Sequence, residues 1–433
     1  MKILLVRPAY KSIFSLFNPV ITEPLALEYL ATIISRQGHR YSICDQPASA
    51  FVLIKKLLKF KPDLVAITGY LTAEDEIKKI ARRVKLFNPK ILVMAGGVHV
   101  ELNYRNLQTP YFDILSCSGG IQPFSKLLAH NFSTKSWPLT EGIRYRQGKT
   151  WKTNKKLKLN PEKLPLPNRS YFRKNIQKFR YLNYGPVALL KTAWGCPFKC
   201  NFCYCRMLND QQYLPRKITD VIHELKTIEH DLIWIIDDTF LLKRKRVEKF
   251  IEQLHQNKIR KKFIVYSRAD FIAENSDLLP ALRQAGVIDI IVGLEATEDK
   301  TLDQYEKGVK ANQNNLCVKY LRENGINLTA LFMIKPDATC RDFKKMGRWI
   351  KKMKINTYTL SIFLPLPGTE IYEKYREKLT TNKIRKWDFL HLVLPPENMN
   401  RFSFYFNFYK LYFRAFVKNI NTYLPEYLSG RTQ

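Results

Sequence analysis

The chain has 433 residues, 45% hydrophobic and 25% charged, a composition that builds ordinary cores and excludes intrinsic disorder. No run of eighteen apolar residues occurs, and the apolar opening Ile3-Leu4-Leu5-Val6 stops at Arg7-Pro8, too short for a secretory signal, so a cytoplasmic location is expected. The formal net charge of +34 favours anionic partners, namely RNA, a membrane surface or a phosphorylated substrate, unless it is only a lysine-rich solvated surface.

In chain order, Lys2–Val6 reads as a strand, Pro24–Gln37 as a helix with Gly38 at its C-terminal cap, and Tyr41–Cys44 as a second strand. Leu53–Phe60 is helical and Leu64–Thr68 is a third strand. Asp75–Phe87 carries Ile77, Ile80, Ala81 and Val84 at helical spacing. Ile91–Ala95 is a fourth strand ending in Gly96-Gly97, and Ile114–Ser116 a fifth. This alternation predicts an α/β domain over residues 1–135, built on a doubly wound, flavodoxin- or Rossmann-like parallel sheet. Residues 136–185 are polar, basic and proline-rich, and read as a linker with little regular structure. Six more strands follow, Ala188–Thr192, Leu232–Ile236, Phe263–Ser267, Ile288–Gly293, Leu328–Ile334 and Tyr358–Phe363, with helices between them. Six βα units in this length predict a partial (β/α)6 TIM-type barrel over 186–395. Residues 396–433 read as an aromatic, basic helical tail.

The chemistry concentrates in the cysteines. Four of eight, Cys196, Cys200, Cys203 and Cys205, fall within ten residues, which in a reducing compartment indicates metal rather than disulfides. Cys196, Cys200 and Cys203 have C-x3-C-x2-C spacing directly after a predicted strand. Three thiolates on one loop can hold three irons of a 4Fe–4S cubane and leave the fourth open to a ligand. Zinc is the competing reading, with Cys205 as a fourth ligand, but no second cysteine pair follows downstream.

With that spacing, residues 186–395 resemble the radical SAM superfamily, and the resemblance extends beyond the cysteines. Phe202 stands where the family places a side chain against the adenine of S-adenosylmethionine (SAM). Asp237-Asp238 ends the second barrel strand, where an acidic segment is found. Ser267-Arg268-Ala269-Asp270 and Gly293-Leu294-Glu295 end the third and fourth strands, where SAM is contacted, and Leu364–Thr369 looks like the family's Pro-x-Pro-Gly-Thr turn. The resemblance implies an enzyme that cleaves SAM reductively at the cluster to start radical chemistry, with Asp237, Asp238, Arg268 and Glu295 at the SAM site. It also implies an external electron donor such as flavodoxin or ferredoxin.

The N-terminal region resembles the cobalamin-binding domain of one branch of that superfamily, on the strings Glu23-Pro24-Leu25-Ala26-Leu27, Gly38-His39, Pro62-Asp63-Leu64-Val65 and Gly96-Gly97-Val98-His99. The implied cobalamin would lie at the carboxyl edge of the sheet against Gly96, Gly97 and His99, without a lower histidine ligand, because no D-x-H-x-x-G motif is present. Ser118-Gly119-Gly120-Ile121 replaces the branch's usual Gly-Glu-Gly-Glu, and Lys335-Pro336-Asp337 its Gly-x-Pro. The expected reaction is methylation of an unactivated carbon on a small-molecule or lipid-like substrate, with rearrangement, cyclisation or RNA modification as alternatives and a non-enzymatic metal protein as the last. No RNA-recognition signature accompanies the charge, so nucleic acid is not an expected partner. The tail's rings read as packing against the barrel, or as an interfacial helix with Lys410, Arg414 and Lys418 at lipid headgroups.

Overall fold

The computed structural model describes residues 1–9 and 20–414. The first sheet begins with β1 (Lys2–Arg7), whose Ile3–Val6 are buried on both faces, as an inner parallel strand requires. It is joined by β2 (Arg40–Asp45), β3 (Leu64–Thr68), β4 (Leu92–Gly96) and β5 (Ile114–Ser116), all parallel. Helix α1 (Leu25–Arg36) turns Leu27, Ala31 and Ile34 to one face of this sheet. Helices α2 (Ala50–Phe60) and α3 (Glu74–Phe87) turn Leu53, Leu57, Ile77, Ile80 and Val84 to the other. The sheet is therefore doubly wound, and its winding direction switches between β1 and β3, where such sheets open a crevice at their carboxyl ends.

The segment read as a linker is more structured than its composition suggests. Two strands, β6 (Ile143–Gln147) and β7 (Thr150–Thr153), form an antiparallel hairpin that extends the sheet to seven strands in the order β2-β1-β3-β4-β5-β6-β7. Ile143 and Tyr145 face one core, while Trp151 lies on the other face, cross-strand from Arg146, so the basic residues between these apolar ones resemble coil in sequence.

The second sheet is an open, wholly parallel barrel of six strands in sequence order: β8 (Ala188–Leu190), β9 (Leu232–Ile235), β10 (Lys262–Arg268), β11 (Val287–Glu295), β12 (Asn327–Ile334) and β13 (Thr357–Ile362). A helix over 401–414 covers part of it: Phe404 packs edge-on to Phe343 with ring centres 5.4 Å apart, and Tyr358 Oη donates to the Leu411 carbonyl at 2.8 Å. The rest of the expected tail, with Lys418, lies outside the described residues.

The two sheets are joined through buried charge. Arg169, 4% exposed, donates Nη1 to Glu23 Oε1 at 2.7 Å and Nη2 to Glu224 Oε1 at 2.7 Å and to the Leu189 carbonyl at 2.7 Å. Glu224 also binds Arg216 at 2.5 Å, and Glu23 accepts from the Leu189 amide of β8. Glu28, on α1, accepts from the Phe172 amide at 3.0 Å. Burial and the neighbouring Glu23 push the Glu28 carboxyl well above the usual range. One arginine from the presumed linker thus ties the start of α1 to the first barrel strand and to the helix Ile218–Thr227.

Removing one partner of a buried ion pair leaves the other charge uncompensated, at a cost of about 3–5 kcal/mol. Arg169→Ala should destabilise the protein by that amount in thermal or urea unfolding. Lys217→Ala, which breaks the exposed 3.2 Å pair with Glu162, should change stability by less than about 1 kcal/mol.

Candidate cofactor site at the barrel mouth

The cysteine loop leaves β8 and is held in place by the two aspartates that follow β9. Asp237, 1% exposed, accepts from the Thr192 and Ala193 amides at 2.7 and 3.0 Å and from the Thr192 hydroxyl at 2.5 Å. Asp238 accepts from the Gly195 amide at 2.9 Å and from Cys205 Sγ at 3.4 Å, with Lys191 Nζ 3.7 Å away. Gly195 has φ +77°, and a Cβ there would stand 2.1 Å from the Gln212 carbonyl oxygen, so only glycine closes the loop on itself. The acidic pair expected at the SAM site is therefore engaged within the protein, Asp237 fully and Asp238 in part.

The three thiols stand on this loop as separate donors. Among the described residues no three His, Cys, Asp or Glu side chains converge on a single-ion site. Burial pushes the Cys196 thiol up to about 11 and raises that of Cys200, whereas a hydrogen bond from Cys205 holds the Cys203 thiol down. Two cations lie beside them. Arg268 places Nη1 3.7 Å from Cys200 Sγ and its guanidinium 3.7 Å from the Phe198 ring centre. It is anchored by Asp270 at 2.8 Å and the Lys307 carbonyl at 2.6 Å. The Lys307 and Arg268 charges both draw the Cys200 thiol back down against its burial. Three cysteines on one loop beside two buried cations suit an anionic iron–sulfur cluster, since the ligands must be thiolates and their charge must be offset.

Glu295 ends β11 in a bulge, with φ +61°, and pairs with Lys307 Nζ at 3.1 Å, the two side chains 12% and 7% exposed. The space beside Gly293 is filled by the same pair: a Cβ on Gly293 would lie 2.4 Å from Glu295 Oε1 and 2.9 Å from Lys307 Nζ. Lys307 belongs to no motif and nothing in the sequence singles it out. Phe202 packs edge-on to Tyr305 at 5.3 Å, in an apolar cluster with Tyr204 and Phe363.

The carboxyl edge of the first sheet faces this mouth. The Leu366–Thr369 turn reaches it, with a Cβ on Gly368 placed 3.2 Å from the Leu102 carbonyl oxygen. Lys156 forms an ion pair with Asp210, beyond the cysteines. At the edge, Gly97 has φ +100°, and a Cβ would stand 2.6 Å from Thr68 Oγ1, so this glycine is required by its own sheet. His99 is buried at this edge rather than open to it. It is 2% exposed, on the helix Val98–Asn103, with Nε2 2.9 Å from Glu74 Oε2. Burial opposes ionisation of Glu74, yet bonds from His99, Lys78 and Asn106 hold its carboxyl down at about 2. Gly96 and Gly97 leave backbone along this edge, with the His99 imidazole turned to Glu74, which suits a corrin held without a lower histidine; Ser118 and Gly119 beside them are packed under Leu157, whose amide donates to Ser118 Oγ at 3.0 Å.

Residues 19–127 match the family model of the B12 binding domain, and residues 191–350 that of the Radical SAM superfamily. An uncharacterized methyltransferase of Pyrococcus horikoshii is 27% identical over 387 residues, covering 86% of this chain and 83% of its own. Hopanoid C-3 methylase of Methylococcus capsulatus is 24% identical over 406 residues, covering 91% and 76%. Among solved structures, the radical SAM methyltransferase TsrM from Kitasatospora setae, with cobalamin and a 4Fe–4S cluster bound, superposes with a TM-score of 0.69 at 17% identity, over 92% of this chain and 83% of that one. The longer cobalamin-dependent enzyme OxsB superposes at 0.66, with this chain spanning 56% of it.

The Glu295–Lys307 pair is a stability element at the site's edge. Glu295→Gln should lower stability by about 3–5 kcal/mol by leaving Lys307 buried without a counter-charge, and Glu295→Gln/Lys307→Met should recover most of that loss. A double-mutant cycle in urea unfolding measures the coupling.

Proposed function

We propose, because this chain belongs to the radical SAM superfamily in the branch with an N-terminal B12-binding domain, that it is a cobalamin-dependent methyltransferase acting on an unactivated carbon. In this reading Cys196, Cys200 and Cys203 ligate a 4Fe–4S cluster, and SAM and cobalamin meet between the two carboxyl edges. When bound, these groups supply reductive cleavage of SAM, a carbon radical for hydrogen abstraction and a methyl carrier. The observation that carries the reading is the set of three thiols on a clamped loop, beside Arg268 and Lys307, opposite the carboxyl edge of a doubly wound sheet.

Each residue has a task in this proposal. Asp237 and Asp238 fix the loop that carries the thiols. Arg268 and Lys307 offset the negative charge of the liganded loop, and Glu295 keeps Lys307 in position. Phe202 and Tyr305 form an apolar wall that excludes water from a reactive intermediate. The assignments follow these roles: 1–135 as the cobalamin domain, 136–185 as the connector that carries Arg169, 186–395 as the radical SAM core, and 396–433 as the tail.

A small, lipid-like molecule is the proposed substrate class, supported by the likeness to hopanoid C-3 methylase. The net charge of +34 suits an acidic electron donor of the flavodoxin or ferredoxin kind. No helix among the described residues is long and apolar enough to cross a membrane. A cytoplasmic protein with peripheral membrane contact through the basic, aromatic tail completes the proposal.

Anaerobic reconstitution tests the ligand set. Cys200→Ala should lose the iron–sulfur absorption and SAM cleavage together, while Cys205→Ala should retain most of both. Loss of the cluster in Cys205→Ala would overturn the three-ligand assignment. Added hydroxocobalamin should give corrin absorption that His99→Ala leaves unchanged.

A further inference from the structure

Helix α2 is amphipathic on its buried side and apolar again on its exposed side. Leu53 and Leu57 are buried in the core beneath the sheet, as its position in the fold requires. Phe51, Ile54 and Leu58, spaced i, i+3 and i+7 on another stripe, are 71%, 38% and 57% exposed. Exposed Lys55 and Lys59 flank that stripe, and Lys61 caps the helix end. No Asp or Glu occurs from Gln46 to Pro62. The next helix on the same face of the sheet, α3, ends with Leu86 and Phe87, 70% and 40% exposed.

Single exposed apolar residues are ordinary, but three on one helical stripe with a cationic flank free of carboxylates are not. The core does not need them, since α2 already packs through its other side. The stripe lies on the outer side of the helix, and the charges of its own segment, residues 46–62, are of a single sign. A protein partner would have to present a matching acidic frame, whereas an anionic bilayer offers uniform negative charge above an apolar interior.

We propose that α2 is a membrane-docking helix, with Phe51, Ile54 and Leu58 entering the boundary between headgroups and acyl chains of an anionic bilayer and Lys55, Lys59 and Lys61 meeting its phosphates. Nothing in this proposal depends on the cofactor chemistry or on the C-terminal tail. It sets the first sheet against the membrane by the outer side of one helix.

Co-sedimentation of the full-length protein with phosphatidylcholine vesicles, with and without phosphatidylglycerol, tests it. The wild type should bind only the anionic vesicles, and more weakly as salt rises. Phe51→Asp/Leu58→Asp should weaken binding about tenfold per residue or more, with an unchanged melting temperature because both side chains are exposed. Lys55→Glu/Lys59→Glu should also weaken it. Binding lost only in Phe402→Asp/Phe406→Asp would place membrane contact on the terminal helix instead and overturn the proposal. Equal binding by all variants, or a dimer that Leu58→Asp dissolves, would overturn it as well.

Discussion

The buried Arg169 cluster is the constraint on which the rest of the arrangement depends. Two carboxylates, Glu23 just before α1 and Glu224 on the helix Ile218–Thr227, come from elements packed on different sheets and could not be buried without a shared cation. Arg169 meets both with one guanidinium and also binds the carbonyl of Leu189, two residues before the cysteine loop begins at Lys191. A charge cluster of this kind is a poor source of net stability, but it tolerates few geometries. It therefore fixes how the start of α1 sits against β8. Together with Gly368 against Leu102 and the Lys156–Asp210 ion pair, it holds the carboxyl edge of the first sheet toward the barrel mouth.

Around the cleft, close backbone approach replaces side-chain bulk. Gly195 admits the Gln212 carbonyl, Gly97 admits Thr68, and Gly293 admits the Glu295–Lys307 pair. At each, the protein itself occupies the space that a Cβ would take. These glycines shape the loops from within. Charge follows the same logic. The carboxylates at the strand ends are matched by Lys191, Arg268 and Lys307, and the last two leave positive potential against Cys200.

Much of the fold was legible because apolar periodicity reports burial directly. Ile3–Val6 and Leu64–Ile67 read as strands and are strands, since an inner parallel strand must be apolar on both faces. The β6–β7 hairpin was missed because an edge strand buries one face only, and its basic residues hid the alternation. Arg169 was missed for a deeper reason: it sits in a polar segment, and only tertiary structure brings Glu23 and Glu224 to it across long chain separations. At the site, spacing alone marked the cysteine loop. Partner identity was beyond the sequence. It could flag Asp237, Glu295 and His99 as polar residues at strand ends but could not say that Thr192, Lys307 and Glu74 already engage them.

The central claim is that one cleft brings a reduced cluster and a cobalamin together between the two carboxyl edges. Pulsed electron paramagnetic resonance on protein loaded with both, the cluster reduced and the cobalt in its divalent state, tests it most directly. Two coupled paramagnetic centres within each molecule are predicted. A bound cluster and a bound cobalamin without dipolar coupling, or a folded protein that takes the cluster and refuses cobalamin, would contradict it.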